Sequence, residues 1–586
     1  MIQDTIKNLI LNTLTTLGLP QADFVVEHPG DLTHGDYSTN IAMVLSKKVG
    51  ENPKALAEKI TVALRQAQGD SLERIEIAGP GFINFYLSEN FYTESIKTIL
   101  EQKENWGKND ELKNKKVLIE HSSPNLFKPF HIGHVMNNTI GESLTRLAHF
   151  SHADVTLISY PSDVSLGIGK AVYVLLQKGV ETLEQYQTLQ EKLTFLGSCY
   201  VEGTRLYDED KSIEPIVRDI TQKIFNHTAG PEFDAYEIGK KINLDYFKQI
   251  TKTLGSSFDD FIYESEAGVT GKKIVQENTP KIFTESEGAT IYEGEQDGLH
   301  TRVFINKEGY PTYEAKDVGL LSLKFDRYNP DISIFITDHE QTEYFRVVST
   351  AAGKINKEWQ DKTIHRTHGR MTFKGQKMSS RLGGVPTAKD TLDTLFEAVG
   401  ETAKHELMDT DREVIAISAL KYSILRAEAG KNINFDPETS LSFEGDSGPY
   451  LLYSTIRAKS ILEKAGSVIP DLIRNLGIND TSWTPDQVRG DNTKITRPTD
   501  LEILAVEKLL YRFPEIVSRS LVDYSTHHIT IYLTELAQAF NSFYGNTHIL
   551  NTEDKNAPFY VALTESFTIT MKNGLYLLGI SLPSKM

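Results

Sequence analysis

The chain has 586 residues, 39% hydrophobic and 24% charged, with a single cysteine and a formal net charge of -18. This is the composition of a folded chain of several domains, and one cysteine excludes both a disulfide framework and a zinc site built on several thiolates, so no zinc is expected. The negative balance argues against a generic nucleic-acid coat, which would be basic, but leaves room for a local basic groove holding one structured RNA.

The opening, Met1 to Leu14, is amphipathic and carries early acids. It lacks a basic leader with a continuous apolar core, and no apolar run in the chain is long enough to span a bilayer. A cytoplasmic protein without a membrane partner is therefore expected. Residues 1–110 read as a small α+β domain. A strand pair is expected around Ile75-Glu76-Ile77 and Phe82 to Leu87, turning at Gly79-Pro80-Gly81. The polar stretch from Glu101 to Lys116 reads as a linker.

Over residues 111–400, strand signals (Val117 to Glu120, Val155 to Ser159, Ile332 to Thr337) alternate with helical ones, the pattern of a doubly wound parallel sheet. A polar, largely helical insertion is expected at about 165–290. From 401 to 586 helical periodicity dominates, with Leu533, Leu536, Phe540 and Phe543 at steps of three and four. Residues 464–498, rich in Gly, Pro, Asn, Asp and Thr, read as a surface loop.

The chemistry concentrates at His131-Ile132-Gly133-His134. A strand leads toward it. Beyond it Ile132, Met136, Ile140, Leu144 and Leu147 fall on one helical face, so an amphipathic helix is expected to leave from it. Free N–H groups and a positive partial charge at such a helix start suit phosphate. Imidazole N–H donors can follow charge developing on an α-phosphate, and Gly133 lets a base or ribose approach the backbone. Far downstream, Lys377-Met378-Ser379-Ser380-Arg381 lies among glycines, a cationic, hydroxyl-rich segment suited to closing over phosphates. Together the two motifs point to adenylation by ATP, with positioning and electrostatics carrying the reaction. Magnesium is expected to arrive with ATP, and no dedicated metal site is expected. Other phosphate motifs fail: Gly167-Ile168-Gly169-Lys170 lacks the P-loop spacing and reads as a turn.

The two motifs, in this order, resemble the signatures of class I aminoacyl-tRNA synthetases. The stretch from Ser123-Pro124-Asn125 to His134 resembles the arginyl-tRNA synthetases in particular. So do Leu441 to Tyr450 and the ending Leu578 to Met586. The resemblance covers nearly the whole chain. It implies a Rossmann-like doubly wound catalytic domain between an N-terminal α+β domain that contacts the tRNA elbow and a C-terminal all-α anticodon-binding bundle. It implies arginine, ATP and tRNA(Arg) as substrates, with arginyl-adenylate formed first and bound tRNA needed for that step. ATP is assigned to His131, Gly133, His134, Lys128, Lys377, Met378 and Ser379, and the arginine pocket maps onto Glu120, Asn125, Tyr313, Asp317 and Gln341. His131, His134, Lys128 and Lys377 carry the catalytic assignments. A guanidinium is a planar fork of five donors, matched by carboxylate and phenol acceptors. Tyr313 and Asp317, four apart, share a face if helical.

Two departures stand out. The distant loop lacks the second lysine of the class signature, and Lys128 is assigned to replace it. Ser159-Tyr160-Pro161-Ser162-Asp163-Val164 keeps the family's aspartate without its glycine and aromatic neighbours. For tRNA, Asn84, Tyr544 and Arg457 are candidate contacts, with Tyr450 and Tyr453 as further stacking faces. Lys421, Arg426, Lys431 and Arg457 are candidates for phosphates. A monomer is expected. Two other readings remain open from the residues alone: a small-molecule nucleotidyltransferase with the same His motif, and a catalytically silent RNA-binding relative.

Overall fold

The structure is a computed structural model and describes residues 1–374, 387–402, 406–468, 497–498 and 500–586. At the N-terminus, β1 (Val26–Glu27), β2 (Tyr37–Thr39), β3 (Leu72–Ala78) and β4 (Phe82–Leu87) form an antiparallel sheet in the order β1-β2-β4-β3. Gly79 and Gly81 both have positive φ between β3 and β4, which glycine adopts without a Cβ clash. Helices Ile2–Thr16, Ile41–Val49 and Pro53–Ala67 pack on the sheet through fully buried Ile10, Leu45, Leu56 and Ile60.

The stretch from Glu101 to Lys116 is not a free linker. Helix Glu89–Gln102 runs into it and Trp106 is buried. Asn573 Nδ2 donates to the carbonyls of Lys103 and Trp106, both at 2.9 Å, which fastens the stretch to the C-terminal helices.

The central sheet begins with β5 (Lys116–Glu120), whose Val117, Leu118 and Ile119 are all buried, as in a parallel strand covered on both faces. β6 (Asp154–Ser159) follows. The region at 165–290 is helical over Leu166–Lys178, Leu189–Glu209, Glu214–Phe225 and Pro231–Thr253. It then returns to the central sheet as β7 (Asp260–Phe261), paired parallel with β6. Beyond it, β8 (Thr284–Ser286), β9 (Ala289–Tyr292) and β10 (Arg302–Ile305) form a separate small antiparallel sheet. Gly167 to Lys170 is no turn but part of helix Leu166–Lys178. A Cβ on Gly169 would lie 2.1 Å from Thr221 Oγ1, so the glycine serves a close helix crossing.

β11 (Ile332–Asp338) and β12 (Thr363–His368) complete a five-stranded parallel sheet in the order β12-β11-β5-β6-β7. The order reverses between β5 and β11, so a crevice opens at their C-terminal ends, where open parallel sheets bind ligands. β13 (Met371–Phe373) pairs parallel with β14 (Ile433–Phe435).

The last third is a helical bundle: Asp409–Leu425, Gly448–Val468, Phe513–Val522, His527–Asn546 and Ala557–Leu577 are its longest members. Leu533, Leu536, Phe540 and Phe543 are buried in it. Its apolar core is continuous with that of the central sheet, and Ser143 Oγ donates to Leu577 O at 2.7 Å across the junction. The segment read as a loop at 464–498 begins as helix, up to Val468, and ends at buried Arg497, which pairs with Glu507 at 3.0 Å. Residues 469–496 lie outside the described residues. Among the described residues no helix is long and apolar enough to cross a membrane.

Candidate active site

A cleft of about 1260 Å³ opens at the ends of β5 and β11. His131 is the N-cap of helix Ile132–Phe150. Its Nδ1 accepts from Gly133 N at 3.1 Å, and His134 Nδ1 accepts from His131 N at 3.1 Å. A ring nitrogen that accepts carries no proton, so each neutral ring keeps its proton on Nε2. Burial, reinforced by Lys128, holds the His131 pKa below the ordinary value; burial and then His131 and Lys128 hold His134 well below it. Both rings are thus neutral N–H donors, stacked with centroids 3.8 Å apart, and Phe130 stacks on His134 at 4.8 Å. A Cβ on Gly133 would lie 3.0 Å from the His131 ring, so glycine lets that ring fold back over the helix start.

Two expectations change here. The helix start does not offer a full set of free backbone N–H groups, because His131 takes that of Gly133 and His134 N donates to His131 O at 2.9 Å. The helix keeps its apolar stripe, but its polar side is covered as well: Asn138, Thr139, Glu142 and Ser143 are buried, as in a helix enclosed on all sides.

The arginine candidates Glu120, Asn125, Tyr313, Asp317 and Gln341 all line the cleft, together with His131, Gly133 and His134. Tyr313 and Asp317 stand one turn apart at the start of helix Tyr313–Tyr328. Three carboxylates around them already have a cation. Glu120 pairs with buried Lys324, Glu264 with Lys316 Nζ at 2.5 Å, and Glu314 with Arg302 at 3.2 Å. Asp317 instead accepts from the Tyr344 hydroxyl at 2.5 Å and has no cationic partner among the described residues. Burial pushes its pKa up to about 7; Tyr344 pulls it down, Glu120 and Glu264 raise it further, and Lys324, paired to Glu120, lowers it from a distance. Lys324, Tyr344 and Glu264 went unremarked in the sequence. Lys324 had a signal, since it lies seven residues after Asp317 on the same helical face.

The loop that carries Asn125 is held from behind. Phe127 has φ 62°, and its N donates to Asn243 Oδ1 at 3.1 Å on helix Pro231–Thr253. Asn125 bridges Ser162 of the atypical segment. In that segment Asp163 is buried and accepts from Lys240 Nζ at 3.0 Å, Tyr236 Oη at 3.2 Å, and Ser265 N and Oγ, both at 2.9 Å. Its carboxylate ties the helices after β6 together and seats Glu264 on the cleft.

Lys128 is exposed outside the cleft wall, its Nζ 4.5 Å from the centre of the Tyr200 ring. Lys377, Met378 and Ser379 lie outside the described residues. The chain re-enters at Thr387, which bridges His131, and Ala388 N donates to Phe130 O at 2.8 Å. The far side of that segment is therefore tied to the His motif.

The RNA candidates fare unevenly. Asn84 is 5% exposed and accepts from Ser38 Oγ at 2.7 Å, which leaves its amide facing the sheet. Lys421 is 1% exposed, donates to Gly579 O at 2.5 Å, and is pulled down to about 7 by burial and by Arg146. It is an internal tie and meets no phosphate. Arg426 pairs with Asp446 at 3.1 Å, and Lys431 is exposed. Arg457 lies 4.5 Å from the Tyr453 ring centre and 5.0 Å from that of Tyr544, which is exposed. Tyr450 is partly buried and accepts from Asn541 at 3.1 Å.

Residues 95–436 match the family described as tRNA synthetases class I (R), catalytic domain. The parallel sheet, the capped His motif at its switch point and this match put the chain among the class I aminoacyl-tRNA synthetases. Residues 2–87 match the arginyl tRNA synthetase N terminal domain and 451–586 the DALR anticodon binding domain. The chain belongs to the arginyl-tRNA synthetase family. Among its relatives, an arginine–tRNA ligase of Fusobacterium nucleatum is 28% identical over 94% of this chain and 93% of its own. One from Clostridium acetobutylicum is 28% identical over 98% of each. The arginyl-tRNA synthetase structure from Thermus thermophilus shares the fold, with a TM-score of 0.77 at 22% identity over 100% of both chains.

Proposed function

We propose that the cleft joins L-arginine to ATP, forming arginyl-adenylate and diphosphate, and then passes the arginyl group to the 3′-terminal ribose of tRNA(Arg), releasing AMP. Asp317 carries the arginine reading. A buried carboxylate without a cation is costly to ionise, and a guanidinium brings both the missing charge and a fork of donors. Tyr313 and Glu120 supply further acceptors, while Asn125 and Gln341 hold the α-amino and carboxylate ends. Lysine would deliver one point charge and leave acceptors unpaired, which a site built for hydrogen bonds rejects strongly.

The nucleophile is the arginine carboxylate and the leaving group is diphosphate, so no covalent bond to the protein forms. His131 and His134 meet the α-phosphate as neutral donors through Nε2, where charge develops in the transition state. Lys128 and Lys377 add cations on the diphosphate side, and Met378 and Ser379 belong to the same closing segment. Mg2+ enters bound to the ATP phosphates rather than in a protein cage. Activation depends on bound tRNA.

The N-terminal unit, residues 1–110, meets the tRNA elbow, and the bundle, residues 401–586, meets the anticodon loop around catalytic residues 111–400. The Tyr453–Arg457–Tyr544 stack supports a stacking face for a splayed base. The protein acts as a cytoplasmic monomer. Charging of total tRNA with each amino acid in turn tests this function. Arginine alone is expected to be accepted, and charging by another amino acid with none by arginine would overturn it.

A further inference from the structure

Tyr160 directly follows β6, at the cleft. Its ring lines the cleft, yet its hydroxyl oxygen is shielded from bulk water, and among the described residues no donor or acceptor reaches it. The surrounding charges are one-sided. Asp317, Glu264, Glu120 and Asp163 all act on the phenol, and burial with this negative field holds it fully protonated. Three of those carboxylates line the same cleft. One oxygen of Glu264, itself 3% exposed, likewise has no hydrogen-bond partner among the described residues.

The backbone around Tyr160 is held firmly. Its N donates to Ser123 Oγ at 3.2 Å in the Asn125 loop, and three residues on Asp163 is fixed by its four donors. A hydroxyl kept in place without a partner is an energetic liability in the free protein. It becomes useful when a ligand supplies donors at that spot. A phenol can accept one N–H through its oxygen while its own O–H donates a hydrogen bond to an acceptor. A guanidinium has more N–H groups than Asp317 and Tyr313 can accept.

We propose that Tyr160 is a further recognition residue for arginine, its hydroxyl accepting a guanidinium N–H on the floor of the cleft beside Asp317. This rests on the cleft being the arginine site. Its signature separates it from a structural role. A residue needed for folding loses stability when trimmed, whereas removing an unpartnered buried hydroxyl leaves the free protein as stable or more so.

The test is Tyr160→Phe. Calorimetric titration with L-arginine and thermal melting without ligand are run on both proteins, with KM for ATP measured in the full charging reaction. Arginine affinity is expected to fall about tenfold or more, the usual range for a hydrogen bond to a charged group. The melting temperature does not fall, and KM for ATP stays put. Unchanged arginine affinity in Tyr160→Phe, beside a wild type that binds arginine, overturns this role and leaves the arginine site standing. A lowered melting temperature with parallel losses for both substrates also overturns it, in favour of a structural role. A wild type that binds another amino acid and not arginine removes both readings.

Discussion

The two ends of the cleft are built on opposite plans. At the end assigned to arginine the charges are in place and buried: Glu120, Glu264 and Glu314 each hold a cation, and among the described residues Asp317 has no ion-pair partner. At the phosphate end the described side chains are neutral donors. The cations assigned there stand on the surface, as Lys128 does, or fall in the segment 375–386. On the proposed reading one end suits a single cationic substrate, while the cations assigned to the other lie outside the cleft wall or in the segment 375–386.

This contrast breaks most visibly at Asp317. Asp317→Ala is expected to lower kcat/KM for arginine on the order of a thousandfold, because the partner charge of a buried pair is lost. KM for ATP, measured in the same assay, stays within about twofold. Equal damage to both substrates would mean that the two ends are not separate.

His134→Ala probes the opposite end. Its activation rate, followed by tRNA-dependent ATP–diphosphate exchange, is expected to drop about a hundredfold, the usual loss for one preorganised donor. Arginine affinity by calorimetry remains unchanged, and a matching loss there would contradict a transition-state role.

The smallest expected effect is at Lys128→Ala, roughly tenfold in KM for ATP, as suits a solvent-exposed cation on a phosphate. It sharpens the comparison by asking whether an exterior charge serves the phosphate end alone. A loss confined to arginine kinetics would place Lys128 on the wrong side.

Local signals were legible where they are periodic or sit within one motif. The strand into His131, the helix out of it, and the four-residue spacing of Tyr313 and Asp317 all depend on neighbours in the chain. The resemblance supplied the rest of the pocket. What stayed hidden depends on tertiary partners. Lys421 looks like any helical lysine until the carbonyl of Gly579, 158 residues away, meets it. Tyr344 gains its meaning only when it donates to Asp317 from another helix. The glycines at 167 and 169 look like a turn, and only the helix carrying Thr221 explains why one of them lies inside a helix. The capping of both histidines was hidden for another reason, since ring orientation decides it and the motif does not encode that.

The central claim is that arginine supplies the charge Asp317 lacks. Burial pushes the Asp317 pKa up to about 7, so part of the free protein carries it protonated near neutral pH. A guanidinium favours the carboxylate and drives the proton off. Arginine affinity accordingly falls as pH drops below 7, approaching about tenfold per unit. The direct measurement is calorimetric titration of L-arginine at pH 7 in two buffers of different ionisation enthalpy, on the wild type and on Asp317→Asn. The account predicts release of a fraction of a proton per arginine bound by the wild type, growing as the pH is lowered, and none from whatever binding Asp317→Asn retains. Tight arginine binding by the wild type with no proton released would contradict it.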